Sequence, residues 1–556
     1  MREEIKKIIK KAISGLYSDF NDRADLSISV EAPKETIHGD YATNVALALS
    51  KKLGKNPVEV AKEIISKIGK QKFIEKIEVA GPGFINFYLA KEVFVENIQE
   101  ILKDKKTKGL EYGKKVIVEY TDPNPFKVFH IGHLMSNAIG ESIARIFEYQ
   151  GAKVKRANYF GDVGLHVAKA IYGKMENPLY PWQDSYVFGA RAHEEDESAK
   201  KQIEELNKKI YEKSDKQINA LYAQGKKESL LNFEKIYKKL GTKFDYYFPE
   251  SQVADVGKKI VQENTGKVFE KGERGAIIFK GEKFGLHTRV FVNSEGLPTY
   301  EAKDLALPVI KYKKYNYEKS VIVTATEQSD YFKVMLCALK QINPELEGKT
   351  KHIGHGMLRL PEGKMSSRTG KVVTGESLID KVKELVLEKV KGRDFSEKER
   401  ADVSEKVAVG ALKYSILKQS IGSDIIYDFE KSISFEGDSG AYLQYSYARA
   451  QSVLRKAKVE KVKTSLKNVP REITQLEKMM IRFPEAVEKA GTEYEPHFIA
   501  LYLTELAREF NNYYAHNKIV DKADELSPYK VALTQAFSIT MKNGLWLLGI
   551  QAPEKM

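Results

Sequence analysis

Apolar residues recur at helical spacing over Arg2–Leu16, Ala42–Leu53 and Pro57–Ile68, and the proline fits a helix start, where its missing N–H is not needed. Short β-prone runs lie at Leu26–Val30 and Phe84–Leu89, with Gly81-Pro82-Gly83 supplying the turn before the second. From Lys114 the pattern changes to strands alternating with helices. Lys115–Tyr120 predicts a strand and Leu134–Tyr149 a helix, with Met135, Ile139, Ile143 and Ile146 as its apolar stripe and Gly151 just past its end. Val154–Tyr159, Ser320–Thr324 and His352–Leu360 are further strand candidates. Between them, Ala192 to Leu240 is rich in Lys and Glu, with Ile203, Leu206, Ile210 and Ile218 along one side, which predicts a solvated helical insertion. Beyond Val382 the periodicity is helical almost throughout, at Ala401–Lys418, Tyr442–Lys456, Ile473–Glu488, Pro496–His516 and Pro528–Leu548.

These patterns predict three domains. An N-terminal α+β domain spans 1–110. A doubly wound parallel-sheet, Rossmann-like α/β domain spans 111–384, with the helical insertion at about 175–285. An all-α helical bundle spans 385–556. A length of 556 residues agrees, since domains average about 150 residues. The single cysteine, Cys337, excludes an internal disulfide framework and a thiolate-rich zinc site, so no protein-bound metal is expected. The first twenty residues carry Glu3 and Glu4 and no apolar run, and no stretch approaches the ~20 apolar residues of a membrane span. A cytoplasmic protein without membrane contact is the expectation. The formal charge of +14 suits a polyanionic partner and equally suits plain solubility.

Chemistry concentrates in two places. Glu119-Tyr120-Thr121-Asp122-Pro123-Asn124 leads from a strand end to His130-Ile131-Gly132-His133 at a helix start. In open α/β sheets ligands bind at carboxyl ends of strands, where the next helix points its N-terminus outward. Two imidazoles three residues apart can both face such a site and donate to phosphates without fixed charge, and Gly132 lets a flat base approach the backbone. The second place is Gly363-Lys364-Met365-Ser366-Ser367-Arg368-Thr369-Gly370, a glycine-flanked loop whose two cations and two hydroxyls can close on phosphates. The letters His-Ile-Gly-His recur at 352–355, but an extended segment follows and no helix. This copy is read as coincidental, with His355 and Met357 expected beside the adenine because they lead into the Lys364 loop.

The histidine pair and the Lys-Met-Ser loop together resemble the signature of class I aminoacyl-tRNA synthetases, and the best match within them is the arginyl-tRNA synthetase family. That resemblance runs along the chain through His38-Gly39-Asp40-Tyr41-Ala42-Thr43-Asn44, Gly81–Asn86, Asn158–Gly164 (with Val163 where Trp is usual), Gly440–Arg449 and Ala552–Met556. It implies that 1–110 is an additional tRNA-binding domain and 385–556 an anticodon-binding domain. It implies catalytic roles for His130, His133, Lys364 and Arg368, and ATP contacts from those histidines, Gly132, His355, Met357, Lys364, Met365, Ser366 and Ser367. It places Glu119, Tyr300, Asp304 and Gln328 around an arginine side chain and Asn124 at its α-amino and carboxylate end.

The residues agree chemically, because a guanidinium asks for planar acceptors, and Tyr300 and Asp304 share a helix face at four-residue spacing. The implied partners are L-arginine, tRNA(Arg) and ATP carried with Mg2+ as substrate, and the expected assembly is a monomer. The implied reaction is attack of the amino-acid carboxylate on the α-phosphate, then transfer to the terminal ribose of tRNA, with activation dependent on tRNA. Tyr442 and Tyr445, one turn apart, and Tyr513 and Tyr514 are candidates for stacking on anticodon bases, with core packing the alternative for each. A class I enzyme for lysine, a nucleotidyltransferase with the same histidine motif and a catalytically silent RNA-binding relative remain as other readings.

Overall fold

A computed structural model describes residues 1–17, 28–33, 35–104, 109–360 and 374–556. The chain divides into two compact units: Met1–Lys105 with Ala450–Glu485 and Arg508–Thr540, and Lys106–Arg449 with Ala486–Ala507 and Met541–Met556. The residues expected to form one bundle, 385–556, are therefore shared between the two.

In the first unit, β1 (Tyr41–Thr43), β2 (Ile74–Ala80) and β3 (Phe84–Leu89) form an antiparallel sheet in the order β1-β3-β2. Helices Arg2–Leu16 and Pro57–Ile68 form as predicted and share one core with the sheet, through Ile5, Ile9, Ile64 and Phe87, all fully buried. The helix predicted from Ala42 starts at Val45, because Tyr41–Thr43 is used as a strand against β3. Of the strand predicted at Leu26–Val30, Leu26 and Ser27 lie outside the described residues and Ile28–Val30 are not in a strand. Asp40, in the first N-terminal motif, is structural: it accepts the N–H of Leu89 at 2.8 Å and pairs with Lys478 at 2.9 Å. The helix predicted over Ile473–Glu488 breaks into Gln475–Met480 and Phe483–Glu493, with Pro484 in the first turn of the second, where no N–H is required.

In the second unit, β4 (Lys115–Glu119), β5 (Lys153–Phe160) and β6 (Tyr246–Pro249) precede a small antiparallel sheet of β7 (Glu270–Lys271), β8 (Ile277–Phe279) and β9 (Arg289–Val292). Then come β10 (Lys319–Ala325) and β11 (Thr350–His355). Strands 11-10-4-5-6 form one five-stranded sheet, parallel throughout, as the alternation of strands and helices predicts. The insertion is not wholly helical, which corrects the 175–285 expectation. Helices Trp182–Glu195, Glu197–Glu212 and Lys216–Leu240 are there, with Ile203, Leu206, Ile210 and Ile218 buried against Val167 and Ile171. The same span also holds β6, an edge strand of the main sheet, and the strands β7 and β8. Tyr246–Pro249 is four residues long and ends in proline, too short to show an alternating pattern.

The strand predicted over His352–Leu360 divides at Gly356, where an added Cβ would lie 2.2 Å from the Ser423 carbonyl oxygen. Beyond it Leu358–Arg359 pairs with Ile425–Ile426, a two-residue ladder in a region that reads as helical. Among the described residues no helix is long and apolar enough to cross a membrane.

Candidate active site

The strand order reverses between β4 and β10, and the crevice at their carboxyl ends is where an open α/β sheet binds ligands. A cavity of about 580 Å³ lies there. The turn leaving β4 is strained: Thr121 and Asp122 have φ of 82° and 49°, left-handed values that cost a non-glycine residue about 1–3 kcal/mol. Tertiary bonds hold it. Ser136 accepts the Thr121 N–H at 2.9 Å, Asn137 donates to Thr121 Oγ1 at 3.0 Å, and Asp122 Oδ1 accepts the Tyr159 N–H at 2.8 Å.

Helix Ile131–Tyr149 begins three residues before the predicted start, because the two histidines cap it. His130 Nδ1 accepts the Gly132 N–H at 3.1 Å, and His133 Nδ1 accepts the His130 N–H at 3.2 Å. The rings stack at 3.6 Å. Gly132 makes room for this, since a Cβ there would lie 3.0 Å from the His130 ring. With each Nδ1 serving as acceptor, the ring proton of a neutral imidazole sits on Nε2, so both rings present a donor. Burial, and then the nearby Lys127, push His130 down to about 4; burial, His130 and Lys127 push His133 well below the usual range. Both are neutral at pH 7.

On the opposite side the cavity is acidic. Glu119, Asp122, Glu250, Glu301, Asp304 and Glu327 border it, and Arg289 is the only permanent cation among its described lining residues. Two carboxylates are partnered behind the wall: Lys311 donates to Glu119 at 2.9 Å and Lys303 to Glu250 at 2.7 Å, all four groups buried. Asp304 Oδ2 accepts the Tyr331 hydroxyl at 2.5 Å, while Oδ1 and the Tyr159 hydroxyl are buried and interact with each other without completing a hydrogen bond of ordinary geometry. Burial carries the Asp304 carboxyl up to about 7, and burial with the neighbouring Glu119 holds Asp122 well above its usual value. Asn124 faces the same space and is oriented by the Gly161 N–H, 2.6 Å from its Oδ1.

The cavity thus brings together His130, Gly132, His133, His355, Glu119, Asn124, Tyr300, Asp304 and Gln328 from the sequence-predicted set. Met357 is not among its lining residues: its N–H goes to Asp424 and its carbonyl accepts from Ile425, both in the short ladder after Gly356. Lys364, Met365, Ser366, Ser367 and Arg368 lie outside the described residues. Of the anticodon candidates, Tyr442 and Tyr445 are half-buried on helix Gly440–Val459, with Arg449 4.8 Å over the Tyr445 ring. Tyr514 is exposed. Tyr513 instead packs on Val453, Ala457, Ile519 and Val520, so core packing prevails at that position.

Sequence reasoning missed Asp122, Tyr159, Glu250, Lys303, Lys311 and Tyr331. Lys311 carries the one usable signal, a lysine two turns from Asp304 on the apolar side of helix Tyr300–Lys314. Among the described residues no group of three His, Cys, Asp or Glu side chains could hold a metal ion.

The second His-Ile-Gly-His copy is a strand. His352 bonds Thr324 Oγ1 at 2.8 Å and stacks on Phe332 at 4.0 Å, and burial lowers it to about 4. In the unfolded chain this imidazole titrates near 6.5, so below that pH the unfolded state binds the additional proton and stability falls as the pH drops toward 4. Relative to His352→Gln, the native chain should lose about 2 kcal/mol between pH 7 and pH 5. Urea unfolding of both proteins at the two pH values measures it, and an unchanged difference contradicts it.

The family model for the tRNA synthetases class I (R) catalytic domain matches residues 97–429. That for the DALR anticodon binding domain matches 443–556, and that for the arginyl tRNA synthetase N terminal domain matches 3–89. An arginine–tRNA ligase of Clostridium acetobutylicum is 34% identical, over 100% of this chain and 99% of its own length. One from Ligilactobacillus salivarius is 32% identical with the same coverage. The solved structure of Thermus thermophilus arginyl-tRNA synthetase superposes with a TM-score of 0.83 at 25% identity, covering 100% of both chains.

Proposed function

The chain belongs to the arginyl-tRNA synthetase family, and we propose that its cavity at the ends of β4 and β10 holds arginine and ATP side by side, with the roles below. Its reaction is that of an arginine–tRNA ligase. The observation that supports the arginine assignment is the acidic wall: among the described lining residues six carboxylates stand against one permanent cation, and Asp304 Oδ1 is buried beside the Tyr159 hydroxyl without a hydrogen bond of full geometry. Such a wall suits a cation with several N–H donors. Glu119, Asp304, Tyr300 and Gln328 surround the guanidinium, and Asn124 takes the α-amino and carboxylate end.

The arginine carboxylate attacks the α-phosphorus of ATP, the bond to the bridging oxygen breaks, and pyrophosphate leaves with its Mg2+. The Nε2–H groups of His130 and His133 stabilise charge on the transferring phosphate from the helix N-terminus, without the repulsion that a fixed charge would meet from Lys127. Lys364 and Arg368 take the charge that builds on pyrophosphate. The terminal ribose hydroxyl of tRNA then attacks the activated carbonyl and AMP departs. No side chain forms a covalent intermediate, so positioning and electrostatics carry the rate.

The N-terminal domain contributes to tRNA binding. Its cavity of about 460 Å³ gathers His38, Asn44, Phe84 and Asn86 from two motifs, and an exposed ring beside amides suits a splayed base. Tyr442, Tyr445 and Tyr514 are the proposed anticodon contacts. Pyrophosphate exchange against a panel of amino acids, with and without tRNA(Arg), tests the whole assignment. Exchange is expected with arginine alone of the panel and only when tRNA is present. Exchange with lysine defeats the pocket assignment, and robust arginine exchange without tRNA defeats the tRNA requirement.

A further inference from the structure

We propose that Tyr331 is a positioning residue that determines specificity, holding Asp304 in a two-acceptor relay that keeps a proton on the unliganded pocket and releases it to solvent when a guanidinium enters. The inference rests on the placement of the arginine side chain at Asp304.

The Tyr331 hydroxyl lies 2.5 Å from Asp304 Oδ2 and 3.1 Å from the Tyr300 carbonyl oxygen. A phenol has one proton and donates to one acceptor at a time. With Asp304 ionised, the phenol donates to Oδ2. With a proton on Oδ2, the acid donates to the phenol oxygen and the phenol donates to Tyr300. The phenol and Asp304 Oδ2 are each hydrogen-bonded in both states, so moving between them leaves no newly unpaired group at that end of the carboxylate. The ring is fixed from outside: the Arg289 guanidinium stands 5.7 Å over it and lies 3.3 Å from Glu301, on the helix that carries Asp304.

The surroundings favour the protonated state in the free protein. Glu119 and Asp122 face Asp304 from β4 and its turn and Glu250 from helix Glu250–Glu263, while the hydroxyls of Tyr331 and of Tyr159 on β5 favour the ionised form and are outweighed. The two buried lysines on its own helix are committed elsewhere, Lys311 to Glu119 and Lys303 to Glu250, and Lys313 and Lys314 are exposed at its end. Burial first, with Glu250 and Glu119 adding to it, carries the Asp304 carboxyl up to about 7. A guanidinium with paired N–H donors inverts this balance, because it binds the ionised carboxylate and can donate to Oδ1. The O–H bond on Oδ2 breaks, its electron pair stays on the carboxylate, the proton goes to solvent, and the phenol proton turns back from Tyr300 to Oδ2. A neutral ureido side chain of the same shape supplies no charge to drive this exchange, so the relay adds to discrimination against it.

Calorimetric titration of the full chain with L-arginine, in two buffers of different ionisation enthalpy at each pH, counts the protons. The expected release is about 0.9 per arginine at pH 6, about 0.5 at pH 7 and close to none at pH 8.5, with affinity weakening about tenfold from pH 8 to pH 6. Tyr331→Phe keeps the ring and removes the donor to the ionised carboxylate, so its release profile should move to higher pH. A purely structural role would weaken binding equally at every pH. Asp122→Asn should leave the release in place. Absence of release in the native protein, an unmoved profile in Tyr331→Phe, or loss of release in Asp122→Asn each overturns the proposal. Asp304→Asn separates the two levels: if it binds arginine as tightly as the native chain, the placement of the guanidinium falls and the relay with it. Weakened binding in Asp304→Asn, alongside no release in the native protein, removes the relay alone.

Discussion

Asp304→Asn is expected to raise the KM for arginine by two to three orders of magnitude while the KM for ATP stays within about twofold. The asparagine keeps the shape of the aspartate, and its carbonyl can still accept the Tyr331 hydroxyl that now lies 2.5 Å from Oδ2. What it loses is the charge, and it sets an NH2 group where the guanidinium needs an acceptor. Removing one partner from a buried, hydrogen-bonded charge pair costs about 3–5 kcal/mol, because the other charge stays buried without compensation. The free protein should respond in the opposite sense. Asp304 is buried close to Glu119, Asp122 and Glu250, so at pH 8, where it is ionised, an uncharged residue there relieves repulsion, and thermal stability should hold or rise. That combination, weak arginine binding in an intact or stabilised fold, is what a binding role produces and a scaffold role does not. Steady-state kinetics with a melting curve decide it; a KM change under tenfold, or a loss of stability, removes Asp304 from the guanidinium site.

The elements that position this site were readable where one periodicity dominated. β4, β10 and the helix after His133 each carry a clean apolar pattern, and the alternation of strands with helices dictates a parallel sheet with ligands at its carboxyl ends. Readability failed where a residue has two duties. His130 and His133 are the proposed phosphate donors and also cap their helix, so the helix starts at Ile131 and not at the first stripe residue. The sheet's edge strand, Tyr246–Pro249, is too short to show a pattern inside a charged insertion.

The groups behind the acidic wall were hidden for another reason. Lys303 looks like a solvated position on a helix ending in Lys311, Lys313 and Lys314, and only tertiary packing shows that it and Lys311 are buried to balance Glu250 and Glu119. Tyr331 and Asp304 meet across 27 residues of sequence, a distance at which spacing carries no information. The one pair that local spacing could bring together, Tyr300 with Asp304, is the pair the sequence identified.

His133→Asn should slow adenylate formation about 10²–10³-fold, with arginine binding and the fold little changed. His133 does two things, and asparagine removes only one. Its Nδ1 accepts the His130 N–H at 3.2 Å, a capping bond that an asparagine carbonyl can keep; alanine would lose it, at about 1 kcal/mol of helix stability. Its Nε2–H is the donor available to the transferring phosphate, and the shorter asparagine amide cannot place a donor there. One preorganised donor at a developing negative charge is worth about 3–4 kcal/mol in a site closed to water, which sets the size of the effect. The pH profile supplies the second reading. His130 is pushed down to about 4 and His133 lower still, so neither gains a proton between pH 8 and pH 5.5, and the rate at saturating arginine should pass through 6.5 without inflection. The proton lost from Asp304 enters only through arginine binding, so it shifts KM and leaves that saturating rate alone. A kcat that changes around pH 6.5 in the native protein and stops doing so in His133→Asn would mean that the imidazole works as a titrating acid or base, and the neutral-donor mechanism would be wrong.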